Sequence, residues 1–333
     1  MAKSSSTSNS KPWPWAFLIA LTVIIIIESL VVVFDERFYY PPFNNLRMKV
    51  KNEISRSADR HYDVLILGDS FNLTGLDPAL LTADTELSAF NYGTFAVNSV
   101  ITSYVLLRNS LKKKGPKPRY LIIGYLDYIP QFSKDYIYKK YAHTLFDFKQ
   151  GNIGVFTAEF GPALGLKFLI PTLKHQGYFL LNAKPTPPEK IRAVRQSVSD
   201  KRGFYEWHAE REFDGNIDYI NTDDEFYVTP YFEKYIRKIL TLCARNDIKV
   251  LYIMPTVVPE LDKRLTAAGR RAAYMAYLRG LKEEYPNMDI IYPAVQLSDP
   301  RLYTDQDHLN ARGGAVLSDM ARGWLRGASG PAE

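Results

Sequence analysis

Three side chains at opposite ends of this 333-residue chain have the types that acyl transfer needs. Ser70 stands third in Gly68-Asp69-Ser70, directly after the run Tyr62-Asp63-Val64-Leu65-Ile66-Leu67. That run reads as a short buried strand, and Gly-Asp-Ser is turn chemistry that stops it. A serine so placed lies at the carboxyl edge of a sheet, where open α/β sheets bind their ligands. Near the other end, Asp305-Gln306-Asp307-His308-Leu309-Asn310 carries an aspartate three residues before a histidine. A serine hydroxyl is a poor nucleophile until a base takes its proton. Histidine is the usual base, and a carboxylate fixes its tautomer and stabilises the imidazolium. Ser70, His308 and Asp305 supply the three roles. Asp307 is the alternative orienter, although adjacency to His308 makes a correct side-chain approach harder. Asp69 shapes the turn rather than reacting, and Gly-Asp-Ser taken alone is also ordinary turn sequence.

The elements that must position these residues alternate. Ser88–Tyr92, Tyr120–Gly124, Lys249–Met254 and Met288–Tyr292 read as further strands. Helical periodicity falls on Asn98–Leu111, Tyr231–Ala244, Leu265–Tyr285 and Ala315–Leu325, with shorter helical pieces at Leu46–Ile54 and Pro78–Leu81. Strands alternating with helices predict an α/β fold with a parallel sheet. Residues 129–228 break that rhythm. They are rich in aromatics and carry Pro185-Thr186-Pro187-Pro188, which predicts a large insertion over the functional edge: a lid, an acceptor groove, a partner surface, or a small core of its own. His143, His175 and His208 lie there without metal-ligand spacing, so neither a metal nor another cofactor is expected. Cys243, the one cysteine, falls in an apolar helical pattern and reads as core. It excludes an intramolecular disulfide.

These residues resemble the SGNH (GDSL-like) hydrolase superfamily. Gly68-Asp69-Ser70 matches its first block, Gly93 in Phe90-Asn91-Tyr92-Gly93 its second, and Asp305-x-x-His308 its last. Gly124-Tyr125-Leu126-Asp127 lies where the third block, Gly-x-Asn-Asp, belongs. The resemblance covers about residues 60–128 and 228–326. It implies a flavodoxin-like three-layer fold, a Ser70–His308–Asp305 triad, and an oxyanion hole using the backbone N–H groups of Ser70 and Gly93. Leu126 departs from the pattern, because the family's asparagine there donates from its side chain. Asn72 and Asp127 are the accessory residues considered in its place.

The amino terminus suggests where such chemistry would occur. Residues 1–12 are Ser-rich with two lysines, and residues 13–34 are 22 positions with a single charge, Glu28. That length spans a bilayer as a helix. The preceding lysines favour a cytoplasmic amino terminus, and no Ala-x-Ala-like cleavage site follows. The expectation is a single-pass signal anchor in the cytoplasmic membrane. A polar connector (35–60), a periplasmic or extracellular SGNH-like domain (61–326) and a disordered tail (327–333) would follow. A carboxyl inside a span often faces a protein partner, which nominates Glu28 as a docking residue. An anchored domain with a long insertion resembles the SGNH-like proteins that work beside membrane-bound O-acyltransferases in polysaccharide O-acetylation and teichoic acid D-alanylation. The resemblance implies an acyltransferase acting on a cell-envelope polysaccharide. An anchored esterase of glycans or lipids, and an inactive scaffold marked by Leu126, are the alternatives. The net charge of +6 is modest, and nothing resembles a nucleic-acid module.

Overall fold

The computed structural model describes residues 15–23, 26, 43–95, 99–133, 155, 187–206, 210–217 and 225–329. Its centre is a five-stranded, all-parallel sheet: β1 (Val64–Gly68), β2 (Ala89–Asn91), β3 (Tyr120–Gly124), β4 (Lys249–Ile253) and β5 (Met288–Ile291). The spatial order is β2-β1-β3-β4-β5. β1 and β3 run in register from Val64 opposite Tyr120 to Gly68 opposite Gly124. Both are buried along their whole length, as expected of central strands covered on two faces.

Among the described residues, the helices around this sheet are α1 (Phe43–Arg56), α2 (Ser70–Gly75), α3 (Pro78–Leu81), α4 (Ser99–Lys112), α5 (Pro188–Asp200), α6 (Pro230–Ala244), α7 (Pro259–Ala267), α8 (Arg270–Glu284) and α9 (Ala311–Ser329). In a sheet of this order, right-handed crossovers are expected to put the β1-to-β2 connection on one face and the later connections on the other. α9 packs on α2 and α3, whereas α4 packs between α1 and α6. This is an α/β fold with helices on both sides of a parallel sheet. α6 buries Tyr231, Phe232, Tyr235, Ile236, Ile239, Leu240 and Cys243, one stripe at helical spacing, and Thr229 caps it as expected.

Four boundaries differ from the sequence reading. The connector is not merely polar. α1 is five residues longer than its apolar core suggests, and Leu46, Val50 and Ile54 at intervals of four bury one side of it. The helix expected over Leu265–Tyr285 is two helices, because Gly269 takes φ +74° between α7 and α8, a backbone state that favours glycine. α9 begins at Ala311 and runs to Ser329, into the expected tail. Within the expected insertion, whose rhythm the sequence left open, Pro187-Pro188 starts a helix, since proline suits the first helical turn. α5 packs on α1, where Arg195 pairs with Glu53.

Residues 15–23 are helical and exposed. Among the described residues no helix is long and apolar enough to cross a membrane. The expected span 13–34 extends beyond them, and Glu28 and residues 1–12 lie outside them, as do His143, His175 and His208.

Candidate active site

β1 ends at Gly68 with φ +126°, and a Cβ there would lie 2.2 Å from the Gly124 carbonyl oxygen. Only glycine lets the chain leave β1 so close to β3. Gly68→Ala is expected to cost about 2–4 kcal/mol, from the positive φ and the overlap together. A urea midpoint unchanged from wild type would contradict this.

Asp69 then caps α2 in an extended conformation. Its Oδ1 accepts from the Phe71 N–H at 3.0 Å, and its Oδ2 accepts from the Leu126 N–H at 2.5 Å. One buried carboxylate therefore ties the serine turn to the loop after β3. Burial raises the Asp69 carboxyl to about 7, against the lowering effect of those two N–H donors. Ser70 is the first residue of α2 and is buried. Its N–H belongs to the first turn, whose amides have no partner within the helix.

His308 lies on the loop between the turn Pro300–Leu302 and α9. The loop is closed by Tyr303 bridging Leu309 and by Thr304 N–H donating to the His308 carbonyl at 2.9 Å. Asn310 completes it, its Nδ2 donating to the Arg301 carbonyl at 2.7 Å and its Oδ1 capping α9 through the N–H groups of Arg312 and Gly313. α9 docks on α2, with the Ser318 hydroxyl receiving the Asp77 N–H at 3.0 Å. The docking brings the two ends of the chain together: the Asp69 carboxyl lies within electrostatic reach of both His308 and Asp307.

Two carboxylates meet His308. Both oxygens of Asp305 lie 2.9 Å from Nδ1, and Asp305 Oδ1 also accepts the backbone N–H groups of Asp307 and His308. Asp307, expected to approach poorly, reaches the same nitrogen at 2.9 Å. The tight turn around Asp305 folds the backbone so that residues 305 and 307 both face the ring. Asp307 is fully buried, and its Oδ2 accepts from the Tyr128 hydroxyl at 2.9 Å. Burial disfavours the imidazolium, but Asp307 and Asp305 outweigh it and hold His308 well above its ordinary value. Burial likewise works against the Asp305 carboxylate, yet the His308 contact brings that carboxyl down to about 2. Donor atoms of Asp305, Asp307 and His308 lie within 4.8 Å of one another, close enough for a metal ion. The scattered histidines that argue against a metal are not part of this cluster.

The other expected residues divide. The Gly93 N–H donates to Asn91 Oδ1 at 2.8 Å. Asn72 Nδ2 donates to the Leu67 carbonyl at 2.7 Å inside the turn, so it is spent on backbone rather than offered to a substrate. Asp127 is fully buried in an ion pair with Arg270, 3.3 Å from its Nε. Leu126 contributes its backbone N–H to Asp69.

No family model and no curated protein matches this chain. Among solved structures, it is similar to one from Streptococcus pneumonia described as a "putative platelet activating factor". The identity is 12% and the TM-score 0.41, over 92% of this chain and 99% of that one.

Sequence reasoning missed two supports of the site. Asn91 gives its Nδ2 to the carbonyls of Asn72 and Leu76, both at 2.8 Å, and so braces α2 from β2. Tyr128 holds Asp307. Asn91 carried a signal, a polar residue in an otherwise apolar strand. Tyr128 carried none, since tyrosines are frequent throughout the chain.

Proposed function

We propose that this protein is a serine-dependent acyltransferase of SGNH type, anchored in the cytoplasmic membrane with its α/β domain outside. In this reading it passes an acyl group to hydroxyls of a cell-envelope polysaccharide. One observation supports it most: His308 Nδ1 is held by an acidic pair on a loop docked beside the helix that begins with Ser70.

Ser70 Oγ attacks the acyl carbonyl as His308 takes the hydroxyl proton through Nε2. The carbonyl π electrons move onto oxygen, then return as the donor's leaving group departs with the proton from His308. An acceptor hydroxyl repeats the sequence on the Ser70 ester, giving up its proton to His308 while Ser70 leaves and is reprotonated. Asp305 orients the ring and stabilises the imidazolium. Oxyanion donors lower both barriers. The Ser70 N–H is one. The Gly93 N–H becomes the second if it exchanges Asn91 Oδ1 for the oxyanion. The anchor would raise the local concentration of a membrane-bound O-acyltransferase delivering the acyl group, with the span and Glu28 as its docking face.

The test uses the full-length protein with p-nitrophenyl acetate, with and without short glycans, beside Ser70→Ala and His308→Ala. Acylated glycan made by wild type alone is the expected result. Each variant should lose about 10⁴-fold or more in turnover, because the residues act as a unit. Serine-dependent nitrophenol release with no acylated glycan from any panel member would favour the anchored esterase. Turnover equal in wild type and Ser70→Ala would overturn the serine mechanism.

A further inference from the structure

Lys51 lies on α1, outside every block of the family resemblance, yet it is 1% exposed and its Nζ donates to the Gly93 carbonyl at 2.7 Å. Gly93 C=O and Thr94 N–H belong to one peptide group. That N–H donates to the Gly68 carbonyl at 3.0 Å, at the end of β1 and two residues before Ser70. The peptide is thus held at both ends, by the Lys51 ammonium on its oxygen and by the serine turn on its hydrogen.

We infer that Lys51 is a positioning residue for the Ser70 site, clamping the Gly93–Thr94 peptide against the nucleophile turn. The inference rests on the reading of Ser70 given above. A cation on a carbonyl polarises the peptide and strengthens the hydrogen bond that its N–H makes. Holding a lysine there is expensive, because an ammonium loses its hydration on burial. A methionine of similar length would fill the space without that cost. Burial, and then the like charge of Arg47 one turn earlier on α1, lower the Lys51 ammonium well below its ordinary value. A buried lysine whose Nζ is aimed at one carbonyl of the candidate site serves geometry rather than stability. It also makes α1, the helix that leads into the domain, part of the site's scaffold.

The test compares full-length wild type, Lys51→Met and Lys51→Gln. Ser70 labelling by a fluorophosphonate and amide exchange at Thr94 are read on each, with ester turnover alongside. Lys51→Met should label about tenfold more slowly, the loss of one charge-assisted hydrogen bond. Its kcat should fall by the same factor with KM within about twofold, the mark of positioning rather than binding. Its melting temperature should be unchanged or raised, and its Thr94 N–H should exchange about tenfold faster. Lys51→Gln, which keeps a neutral donor, should fall between, and it carries the test if Lys51→Met does not fold. Wild-type labelling and wild-type Thr94 exchange in a folded variant would overturn the inference. If wild type itself is not labelled at Ser70, the serine reading fails instead. The clamp is then judged on Thr94 exchange alone: faster exchange keeps it, and an unchanged rate removes it.

Discussion

Asp305→Asn should slow Ser70-dependent turnover by about 10³–10⁴-fold, the scale of losing the carboxylate that sets a catalytic histidine's tautomer. Asp307→Asn should cost only about tenfold, a buried carboxylate's electrostatic support being smaller than the orienting bond. Both carboxylates sit 2.9 Å from the same Nδ1. One nitrogen carries one proton, and one carboxylate can take it in a linear bond. The assignment to Asp305 rests on its two oxygens at Nδ1 and on the backbone N–H groups of residues 307 and 308 that hold it in place. Rate–pH profiles read both variants. The two acids raise His308, so wild type should gain activity only as pH climbs well above the ordinary histidine value of about 6.5. Each Asn variant should move that limb downward. A larger loss in Asp307→Asn than in Asp305→Asn would transfer the orienting role to Asp307. The sign for stability follows from the same shift. A raised histidine pKa stabilises the fold fully below about 6.5, and the gain is lost as pH rises through the folded value. Each Asn variant should therefore be most destabilised, relative to wild type, on the acid side of that window.

Arg270→Met should destabilise the fold by about 3–5 kcal/mol, the cost of leaving a buried charge without its partner. Asp127 is fully buried, Arg270 nearly so, and Asp127 Oδ1 accepts no hydrogen bond among the described residues. The double variant Asp127→Leu with Arg270→Met should recover most of the loss, since replacing a whole buried pair by apolar groups is often neutral. Urea denaturation of the three variants and wild type closes the cycle. A single-variant loss under about 1 kcal/mol would mean that water, or the neighbouring Arg271 that already acts on Asp127, takes the place of Arg270. This role also accounts for an aspartate beside Leu126: Asp127 is spent on α8, and Asp69 receives the Leu126 backbone.

Apolar runs ending in glycine, proline or turn residues placed all five strands; β1 and β3, buried throughout, show the continuous apolar stretch of a strand covered on both faces, while β5 at the sheet edge keeps Asp289 exposed. Ser70 after β1 was equally readable, as was the Asp-x-x-His spacing that brings Asp305 back onto His308 through a local turn. These features depend on neighbours in sequence. The roles of Asp307, Asn72, Asn91, Asp127, Tyr128 and Lys51 do not. Each is decided by a partner between 5 and 179 residues away, such as Leu67 for Asn72 and Asp307 for Tyr128. Periodicity reports which face of an element is apolar, not which polar side chain will meet it across the fold. Local residue order carries the α/β pattern and the residue types of the candidate site. Which polar groups hold that site in place depends on the docking of α9 on α2 and of α1 beside α4, since burial without a partner is what a polar group can least tolerate.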